Sequence, residues 1–341
     1  MTSRERVLEA IAHHPTDRAP ANYHAHVEVT QRLIGHLGLP DEEALRQFLG
    51  IDFRRVNLNY YQPDSGPDAD GYVRDMWGRR THPDRPTLVP FTEDSTVEDV
   101  RAHPWPSADA LDYSGLRAQC EQWHGEYATY GAPWSPFFHE VGWLLGQENL
   151  YMWMCTRPDL VDAIIEGFVD YEVEVTRRFL EACDGLLDIA FFGNDFGTQR
   201  CLFMSPAHWE RFFRAPLKRF YDVSHEYGCK VMQHSCGAVR SIIPSLIADG
   251  VDMLDPVQVR AAGMSLAELV RDFGDKLTFH GGVDTQHTLP FGTPEDVRAE
   301  VRSYLDLTKD HGGYVLTGSQ DFIADIPDEN IVALYEENLG R

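Results

Sequence analysis

A histidine and a cysteine two positions apart, His234 and Cys236, are the pair of residues in this sequence best suited to hold a metal ion. They follow the apolar run 229–232, which is typical of a buried strand. Side chains at positions i and i+2 of an extended backbone point the same way, so both could bind one ion. Zinc is the usual partner of one nitrogen and one sulfur ligand. Because a lone His-x-Cys is also common in ordinary loops, its place at a strand end is what favours a metal site.

The residues after this pair predict a strand–loop–helix–strand unit. Apolar residues at helical spacing occupy 242–247, Gly250 ends the helix, and 251–254 is typical of the next buried strand. Two strands joined in this way are parallel, and α/β folds carry their chemistry at the carboxyl ends of such strands. The His-x-Cys pair is therefore expected at the carboxyl end of a parallel strand.

Alternation of strand and helix continues from about residue 186 to the end of the chain, with polar residues after each strand. This pattern predicts an α/β fold, a (β/α)8 TIM barrel formed by residues 1–341 as a single domain. The N-terminal half is irregular and loop-rich, and it must supply the remaining strands. A doubly wound open sheet is the alternative, but no glycine-rich dinucleotide fingerprint follows any strand.

Several local predictions concern that irregular half. Residues 22–26 are predicted to form a strand that enters the core, and residues 111–130 and 142–154 are each predicted to form a helix. The segment 60–106 is rich in Pro, Gly and Asp and predicts a loop or hairpin insertion rather than a separate domain.

Composition narrows the range of partners and compartments. The 341 residues include 54 acids and 30 Lys and Arg, a net charge of −24, which argues against nucleic acid or an anionic membrane as partner. Six scattered cysteines predict a reducing, cytoplasmic location rather than a disulfide framework. No signal-peptide core and no apolar run near the roughly 20 residues of a spanning helix is present.

Other polar side chains are predicted to share the barrel mouth with the His-x-Cys pair. Asp195, His280 and Asp284 are the predicted catalytic residues, as general bases or substrate orienters, and Asp255 is a further candidate. For each one, a role as a cap or turn residue is the alternative, because loops are polar in any case. The residues predicted to contact substrate are Tyr23, His24, His26, Gln199 and Gln286.

Two further groups of residues near the mouth each fit two different roles. His24 and His26 have the same i, i+2 spacing, so together with His234 they could form a different metal site. Aromatic side chains are expected either to wall an apolar pocket or, as the commoner alternative, to fill the core, and these are Tyr23, Trp134, Phe137, Phe138 and Trp143.

The order of several motifs resembles the uroporphyrinogen decarboxylase superfamily. The stretches that carry the resemblance are 17–20 (DRAP), 191–199 (FFGNDFGTQ), 205–213 (SPAHWERFF), 230–239 (KVMQHSCGAV), 251–257 (VDMLDPV), 281–289 (GGVDTQHTL) and 327–335 (PDENIVALY). The resemblance implies a (β/α)8 barrel and one of two chemical branches.

The decarboxylases proper hold a porphyrinogen with many carboxylates through arginines of the form R-Q-A-G-R near the N-terminus. The matching place here is 22–28, which contains no arginine and ends in the acidic Glu28. A substrate with many carboxylates would lack its counter-charges, so uroporphyrinogen itself is not the expected substrate.

The other branch contains zinc methyltransferases that exchange methyl groups with a corrinoid protein. Their zinc is held by His-x-Cys and a further cysteine after the last strand. His234 and Cys236 match the first two ligands, and Gln320 stands at the place of the third. Since glutamine is a poor zinc ligand, Asp195, His280 or Asp321 could complete the site instead. The resemblance implies zinc or another divalent transition metal, with a corrinoid supplied by a partner protein.

Three functional hypotheses follow from these observations. The first is metal-dependent methyl transfer involving a small methylated or methyl-accepting molecule and a corrinoid protein. The second is a cofactor-free decarboxylase or lyase of a small carboxylic acid, in which Asp195 and Asp284 move the proton. The third is a non-catalytic protein that binds a corrinoid or another tetrapyrrole.

Overall fold

The computed structural model describes residues 1–59 and 66–341, so the first residues of the predicted insertion, 60–65, lie outside the described residues. In this part of the chain the strands are β1 (Phe53–Arg55), β2 (Val73–Arg74), β3 (Arg80–His82), β4 (Arg85–Leu88), β5 (Ala128–Gly131), β6 (Ile189–Gly193), β7 (Lys230–His234), β8 (Met253–Asp255), β9 (Thr278–His280) and β10 (Tyr314–Val315). Seven of them form one curled parallel sheet in the order β1-β5-β6-β7-β8-β9-β10. The fold is therefore α/β, with neighbouring strands in chain order and helices in the connections.

The α-helices of the described residues are α1 (Ser3–Ile11), α2 (Val27–Leu37), α3 (Glu42–Phe48), α4 (Val97–Arg101), α5 (Leu116–Trp123), α6 (Phe137–Leu145), α7 (Gln147–Thr156), α8 (Pro158–Cys183), α9 (Pro206–Trp209), α10 (Ala215–Glu226), α11 (Ile243–Ala248), α12 (Leu266–Phe273), α13 (Thr288–Phe291), α14 (Pro294–Thr308) and α15 (Asp328–Leu339). Residues 210–214 form a π-helical turn that joins α9 to α10. Within the described ranges, no helix has both the length and the apolarity that crossing a membrane requires.

Local sequence signals place several helix ends where they were predicted. Thr2 caps α1 and exchanges hydrogen bonds with Glu5 in a capping box. Gly38 ends α2 in the left-handed conformation at φ 64°. The long helix α8 begins at Pro158, in the first turn, where a proline costs no hydrogen bond.

Two helix predictions in the irregular half are wrong. Residues 111–130 do not form one helix, because α5 ends at Trp123, Gly125 turns the chain at φ 95°, and 128–131 become a buried strand between β1 and β6. Residues 142–154 belong to two helices, α6 and α7, which divide at Gly146 with φ 85°. In both places a glycine at positive φ interrupts an otherwise helical composition.

The segment 20–26 lies between the two edges of the parallel sheet. The N–H of Asp52, just before β1, donates to the carbonyl of Ala21 over 2.9 Å, and the N–H of Asn22 donates to the carbonyl of Leu316, just after β10, over 3.0 Å. Farther along, the N–H of His26 donates to the carbonyl of Phe322. The predicted strand 22–26 is thus an extended segment with isolated parallel bridges rather than a regular strand.

One buried carboxylate fixes this segment. Asp52 is fully buried and accepts hydrogen bonds from the guanidinium groups of Arg6 and Arg18 and from the Ala21 N–H, at 2.7–2.9 Å. Arg18 belongs to the motif DRAP, so this motif has a structural function: it ties the entering segment to β1. Ion pairs of this kind are costly to break because a buried charge is left alone.

The insertion after β1 contains the three-stranded antiparallel sheet β2-β3-β4. Its Trp77 is buried, and the Trp77 ring lies 4.1 Å from the ring of Phe168 on α8. The insertion therefore contributes directly to the main hydrophobic core. Two residues of the insertion, Asp75 and Arg79, also act electrostatically on Glu140, which is buried on α6.

Substitution of Asp52 by Asn tests the clamp on the entering segment. We expect the free energy of unfolding to fall by about 3–5 kcal/mol, because Arg6 and Arg18 lose their buried counter-charge. Urea unfolding followed by circular dichroism measures this change. The exposed pair of Glu9 with His14 supplies the matched control, Glu9→Gln, which should change stability by less than about 1 kcal/mol. Equal effects of the two substitutions would contradict the role of Asp52.

Substitution of Glu140 by Gln tests the electrostatics of the face between α6 and the insertion. Burial raises the pKa of Glu140 to about 7 from the ordinary 4.5. The neutral acid is favoured in the folded state. Ionisation of Glu140 therefore lowers the free energy of unfolding, and this loss is absent below pH 4.5, grows as pH rises, and is complete above pH 7. Glu140→Gln should therefore stabilise the protein at alkaline pH by roughly 2–3 kcal/mol and leave it unchanged at acid pH.

Thermal unfolding across this pH range gives the measurement for Glu140. The control is Glu148→Gln on α7, an exposed glutamate, for which the difference from the wild type should stay flat with pH. A flat difference for Glu140→Gln as well would show that Glu140 is ionised in the folded protein at neutral pH.

Candidate metal centre

Three neighbouring strands bring the candidate ligands together. His234 is the last residue of β7, and its Cα is in register with Gly193 of β6 and with Asp255 of β8. Asp195 lies two positions beyond Gly193, and Cys236 lies two positions beyond His234. Because parallel strands end at the same edge of the sheet, these side chains meet there, as the strand pattern predicted.

The donor atoms of Asp195, His234 and Cys236 lie within 4.8 Å of one another. His234 Nε2 is 3.1 Å from Asp195 Oδ1 and 3.4 Å from Cys236 Sγ. In a tetrahedral zinc site with ordinary bond lengths, ligand atoms are about 3.3–3.8 Å apart. One nitrogen, one thiol sulfur and one carboxylate oxygen at this spacing fit a zinc ion without rearrangement of the backbone.

A buried carboxylate sets the orientation of the central imidazole. Asp255 Oδ2 lies 2.6 Å from His234 Nδ1, so Nε2 is the ring nitrogen that faces Asp195 and Cys236. The other oxygen of Asp255 lies 2.5 Å from Nδ1 of His280, which is fully buried. A carboxylate behind a ligating histidine is the usual arrangement in metal sites, where it fixes the ring and raises its basicity.

Polar contacts continue from His280 across the interior. The amide nitrogen of Asn22 lies 3.1 Å from His280 Nε2 and 3.2 Å from His24 Nε2, which is in turn 2.9 Å from the hydroxyl of Tyr130. Burial lowers the pKa of His24 to about 3, so its ring is neutral. His24 therefore belongs to a chain of polar contacts that begins at His234.

The charges at the centre favour a protonated His234 between the carboxylates of Asp195 and Asp255. Burial opposes the charged form of each group, but hydrogen bonds to the imidazole hold the pKa of Asp195 well below its ordinary value. The carboxylates of Asp195 and Asp255 in turn outweigh burial and hold the pKa of His234 well above its ordinary value. Burial raises the pKa of the Cys236 thiol despite the imidazole beside it. A bound cation can take the place of the proton that these groups share.

Backbone contacts fix the loop that carries the cysteine. The N–H of Cys236 donates to Asp195 Oδ1 over 2.8 Å, and the N–H of Gly237 donates to Gln258 Oε1 over 3.0 Å. Gln199 donates to the same Gln258 oxygen over 2.8 Å. Gln199, predicted to contact substrate, thus supports this loop through Gln258 and does not line the cavity beside the centre.

Gln320 lies next to the sulfur but presents its nitrogen. Its Nε2 is 3.0 Å from Cys236 Sγ, and its Oε1 accepts the N–H of Asp321 over 3.1 Å. An amide N–H donates to sulfur and does not ligate a metal. With the Gln320 amide in this orientation, the Asp195 carboxylate lies with His234 and Cys236 as a third donor.

A cavity of about 490 Å³ opens beside the centre. Of the residues singled out from the sequence, those that line it are Tyr23, His24, Trp134, His234, Gln320 and Asp321. His26 is exposed at the start of α2, and Phe137 and Phe138 are buried in the core. Trp143 is half exposed on α6.

The structure places Asp284 and Gln286 away from the candidate centre. Asp284 Oδ2 pairs with Arg260 Nε over 2.6 Å and lines a separate cavity with Arg260, Glu300 and Tyr304. Asp284 Oδ1 accepts the backbone N–H of Gln286, which is the turn arrangement that the sequence left open as the alternative.

Sequence reasoning missed Arg46, Arg55, Tyr130 and Phe191, which also line the mouth cavity. Tyr130 was hidden because its strand was assigned to a helix. Alternation along a strand puts one of Arg54 and Arg55 inside the curled sheet, but the sequence does not say which. In the structure Arg54 pairs with Glu43, and Arg55 lines the cavity.

Comparison with known proteins identifies the family. The family described as uroporphyrinogen decarboxylase (URO-D) matches residues 126–338, which is more than half of the chain. The chain belongs to the URO-D family, as the order of its motifs indicated.

Two methyltransferases are similar to this chain. A methylated-thiol–coenzyme M methyltransferase of Methanosarcina mazei is 25% identical over 170 residues, which is 49% of this chain and 42% of that protein. The match thus spans about two fifths of the length of that relative. A solved structure, a methyltransferase from Methanosarcina mazei, superimposes with a TM-score of 0.66 and 16% identity over 100% of this chain and 99% of the other. At this identity the superposition establishes the fold alone.

Substitution of Gly237 by Ala tests how tightly the cysteine loop is held. Gly237 has φ 87°, and an added Cβ would lie 2.6 Å from the Thr198 carbonyl oxygen, so backbone atoms must move. Gly228 is the control, because it has φ 78° and an added Cβ there meets nothing within 4 Å.

In urea unfolding, Gly228→Ala should cost only the left-handed conformational penalty of about 1–2 kcal/mol. Gly237→Ala should cost about 2–4 kcal/mol more, because the added methyl group overpacks the loop. Equal losses would show that the loop yields freely.

Proposed function

We propose that this protein is a metal-dependent methyltransferase, in which Asp195, His234 and Cys236 hold zinc or another divalent transition metal at the mouth of the curled sheet. The observation that carries the proposal is the approach of three different donor atoms within 4.8 Å, beside a cavity, in a member of the URO-D family. The similarity to a methylated-thiol–coenzyme M methyltransferase supports methyl transfer as the reaction class.

We infer further that the sheet closes into an eight-stranded (β/α)8 barrel. Segment 20–22 supplies the eighth position, since it hydrogen-bonds toward β1 on one side and toward the residue after β10 on the other. Closure in this way would surround the cavity with chain on every side and put the candidate ligands on one rim.

When bound, the metal would supply Lewis-acid activation, which lowers the pKa of a coordinated thiol or hydroxyl so that its anion exists near neutral pH. The chain's own residues do the rest. Asp255 keeps His234 Nε2 turned toward the other donors. Gln320 offers an N–H to sulfur, which stabilises a thiolate in its neighbourhood.

The walls of the cavity match a small substrate with an apolar body. The ring of Trp134 lies 5.0 Å from the His234 ring and 5.1 Å from the Phe191 ring, so a methyl-bearing group near the ligands would contact aromatic faces. We propose a corrinoid protein as the partner that gives or receives the methyl group, and a cytoplasmic location, which agrees with six free cysteines.

The role of Asp284 separates this proposal from a cofactor-free decarboxylase. That hypothesis needs Asp195 and Asp284 at one reacting centre, but Asp284 is paired with Arg260 at a different cavity. The pairing of Asp284 with Arg260 therefore supports the metal hypothesis over the decarboxylase hypothesis.

Zinc binding of the purified protein tests the metal centre. We expect one equivalent of zinc in competition with a chromophoric chelator, and binding at least about 100-fold weaker in Cys236→Ala and Asp195→Asn. Cys201→Ala, an exposed cysteine outside the cluster, is the control and should bind like the wild type. Absence of zinc binding by the wild type, or full binding by Cys236→Ala, would refute the centre.

Methyl transfer is then tested with the zinc-loaded protein. Methylcobalamin serves as donor and 2-mercaptoethanol as a simple thiol acceptor, and the cobalamin absorbance spectrum gives the rate. We expect turnover that the Cys236→Ala variant loses and the Cys201→Ala variant keeps. Equal rates with and without zinc would instead point to metal-free chemistry.

A further inference from the structure

The mouth cavity contains two arginines, Arg46 and Arg55, that the proposed metal chemistry does not use. Guanidinium groups recognise carboxylates through paired, charge-assisted hydrogen bonds. In a protein of net charge −24, cations that remain available inside a cavity stand out from the rest of the surface.

Arg55 forms an ion pair with none of the described residues. Its neighbour Arg54 is buried and pairs with Glu43, whereas Arg55 ends β1 on the cavity side. Its guanidinium contacts an aromatic ring, with Cζ 5.9 Å from the centre of the Phe191 ring. Such a contact holds the side chain in place but leaves its N–H groups available to a ligand.

Arg46 is only partly satisfied. Its Nη2 pairs with Glu42 Oε1 over 2.5 Å, and its Cζ lies 5.8 Å from the centre of the Tyr23 ring. Its Nη1 is buried and has no hydrogen-bond partner among the described residues. Arg46 therefore adds positive charge to the cavity lining, balanced in part by Glu42, and Arg55 is the cation of the lining without an ion pair among the described residues.

Two distances set an upper limit on how far the Arg55 guanidinium lies from the His234 ring, and so on the length of the ligand. Cζ of Arg55 is 5.9 Å from the Phe191 ring, and that ring is 6.3 Å from the His234 ring. The guanidinium therefore lies within the sum of these two distances, about 12 Å, of the imidazole. Trp134 and Phe191 wall the space between them with aromatic faces.

We propose that this cavity binds the carboxylate of a small organic acid at Arg55 while the apolar, ring-sized body of the acid lies against Trp134 and Phe191. The inference rests on the proposed function only for the reacting end, which would face the donors of the metal centre. The substrate class is accordingly a monocarboxylate that carries its methyl-bearing group at the end opposite the acid.

The overall charge explains why such a site must be local. A strongly negative protein repels anions at long range, so a carboxylate is retained only where unneutralised cations face it. The same two arginines cannot balance a substrate with many carboxylates, because Glu42 already occupies part of Arg46 and Asp321 adds a negative charge to the lining. The site thus fits one carboxylate rather than several.

Benzoate and benzamide are matched probes for this site, since they differ in charge and share size and ring. Isothermal titration should show benzoate binding to the wild type at least about tenfold more tightly than benzamide. Arg55→Gln should remove that preference, while Arg55→Lys should keep part of it because the charge remains. The control Arg101→Gln changes the net charge equally at an exposed site on α4 and should keep the full preference.

Equal binding of benzoate and benzamide by the wild type, or no binding of either, would overturn the carboxylate site. An undiminished preference in Arg55→Gln, with a circular dichroism spectrum like that of the wild type, would overturn the assignment to Arg55. A misfolded Arg55→Gln leaves the wild-type comparison and the Arg55→Lys comparison decisive.

These titrations are independent of the metal. Zinc binding with no preference for benzoate would refute this inference and leave the proposed methyl transfer standing. A benzoate preference that depends on Arg55 in a protein that binds no zinc would support this inference and refute the proposed metal centre.

Discussion

The carboxylate of Asp255 is the interaction on which the candidate centre depends. It is buried between two imidazoles and touches Nδ1 of each, at 2.6 Å for His234 and 2.5 Å for His280. Burial alone would disfavour its charge, but the two histidines hold the pKa of Asp255 well below its ordinary value. A single anion thereby decides which nitrogen of His234 faces the cavity and anchors a polar chain through the interior.

Much of the C-terminal half could be predicted from the sequence, because each strand there is a short apolar run with glycine or polar residues after it. The β7 and β8 strands, the helix between them and the long helix α8 all appear at or near their predicted places. The meeting of His234, Cys236 and Asp195 follows from the same reasoning, since consecutive parallel strands place their carboxyl ends side by side.

The N-terminal half was harder for a physical reason. Its strand at 128–131 is four residues long and follows a helix after only a brief turn, so its apolar residues continue a helical pattern. The segment 20–26 has too few regular hydrogen bonds to form a recognisable strand. Tyr130, which is in register with Arg55 of β1, was lost to the site for that reason. The orientation of the Gln320 amide was also beyond the sequence, because it depends on a contact with Cys236 across 84 positions of chain.

The hydrogen bonds of segment 20–26 have a consequence for assembly. Asn22 bonds to the carbonyl of Leu316, so one wall of the cavity is built from residues near the beginning of the described chain and residues near its end. Contacts between positions so far apart in the chain carry a loop-closure entropy cost. A nascent chain still lacking β10 therefore has its future ligands but no enclosed space in which to use them.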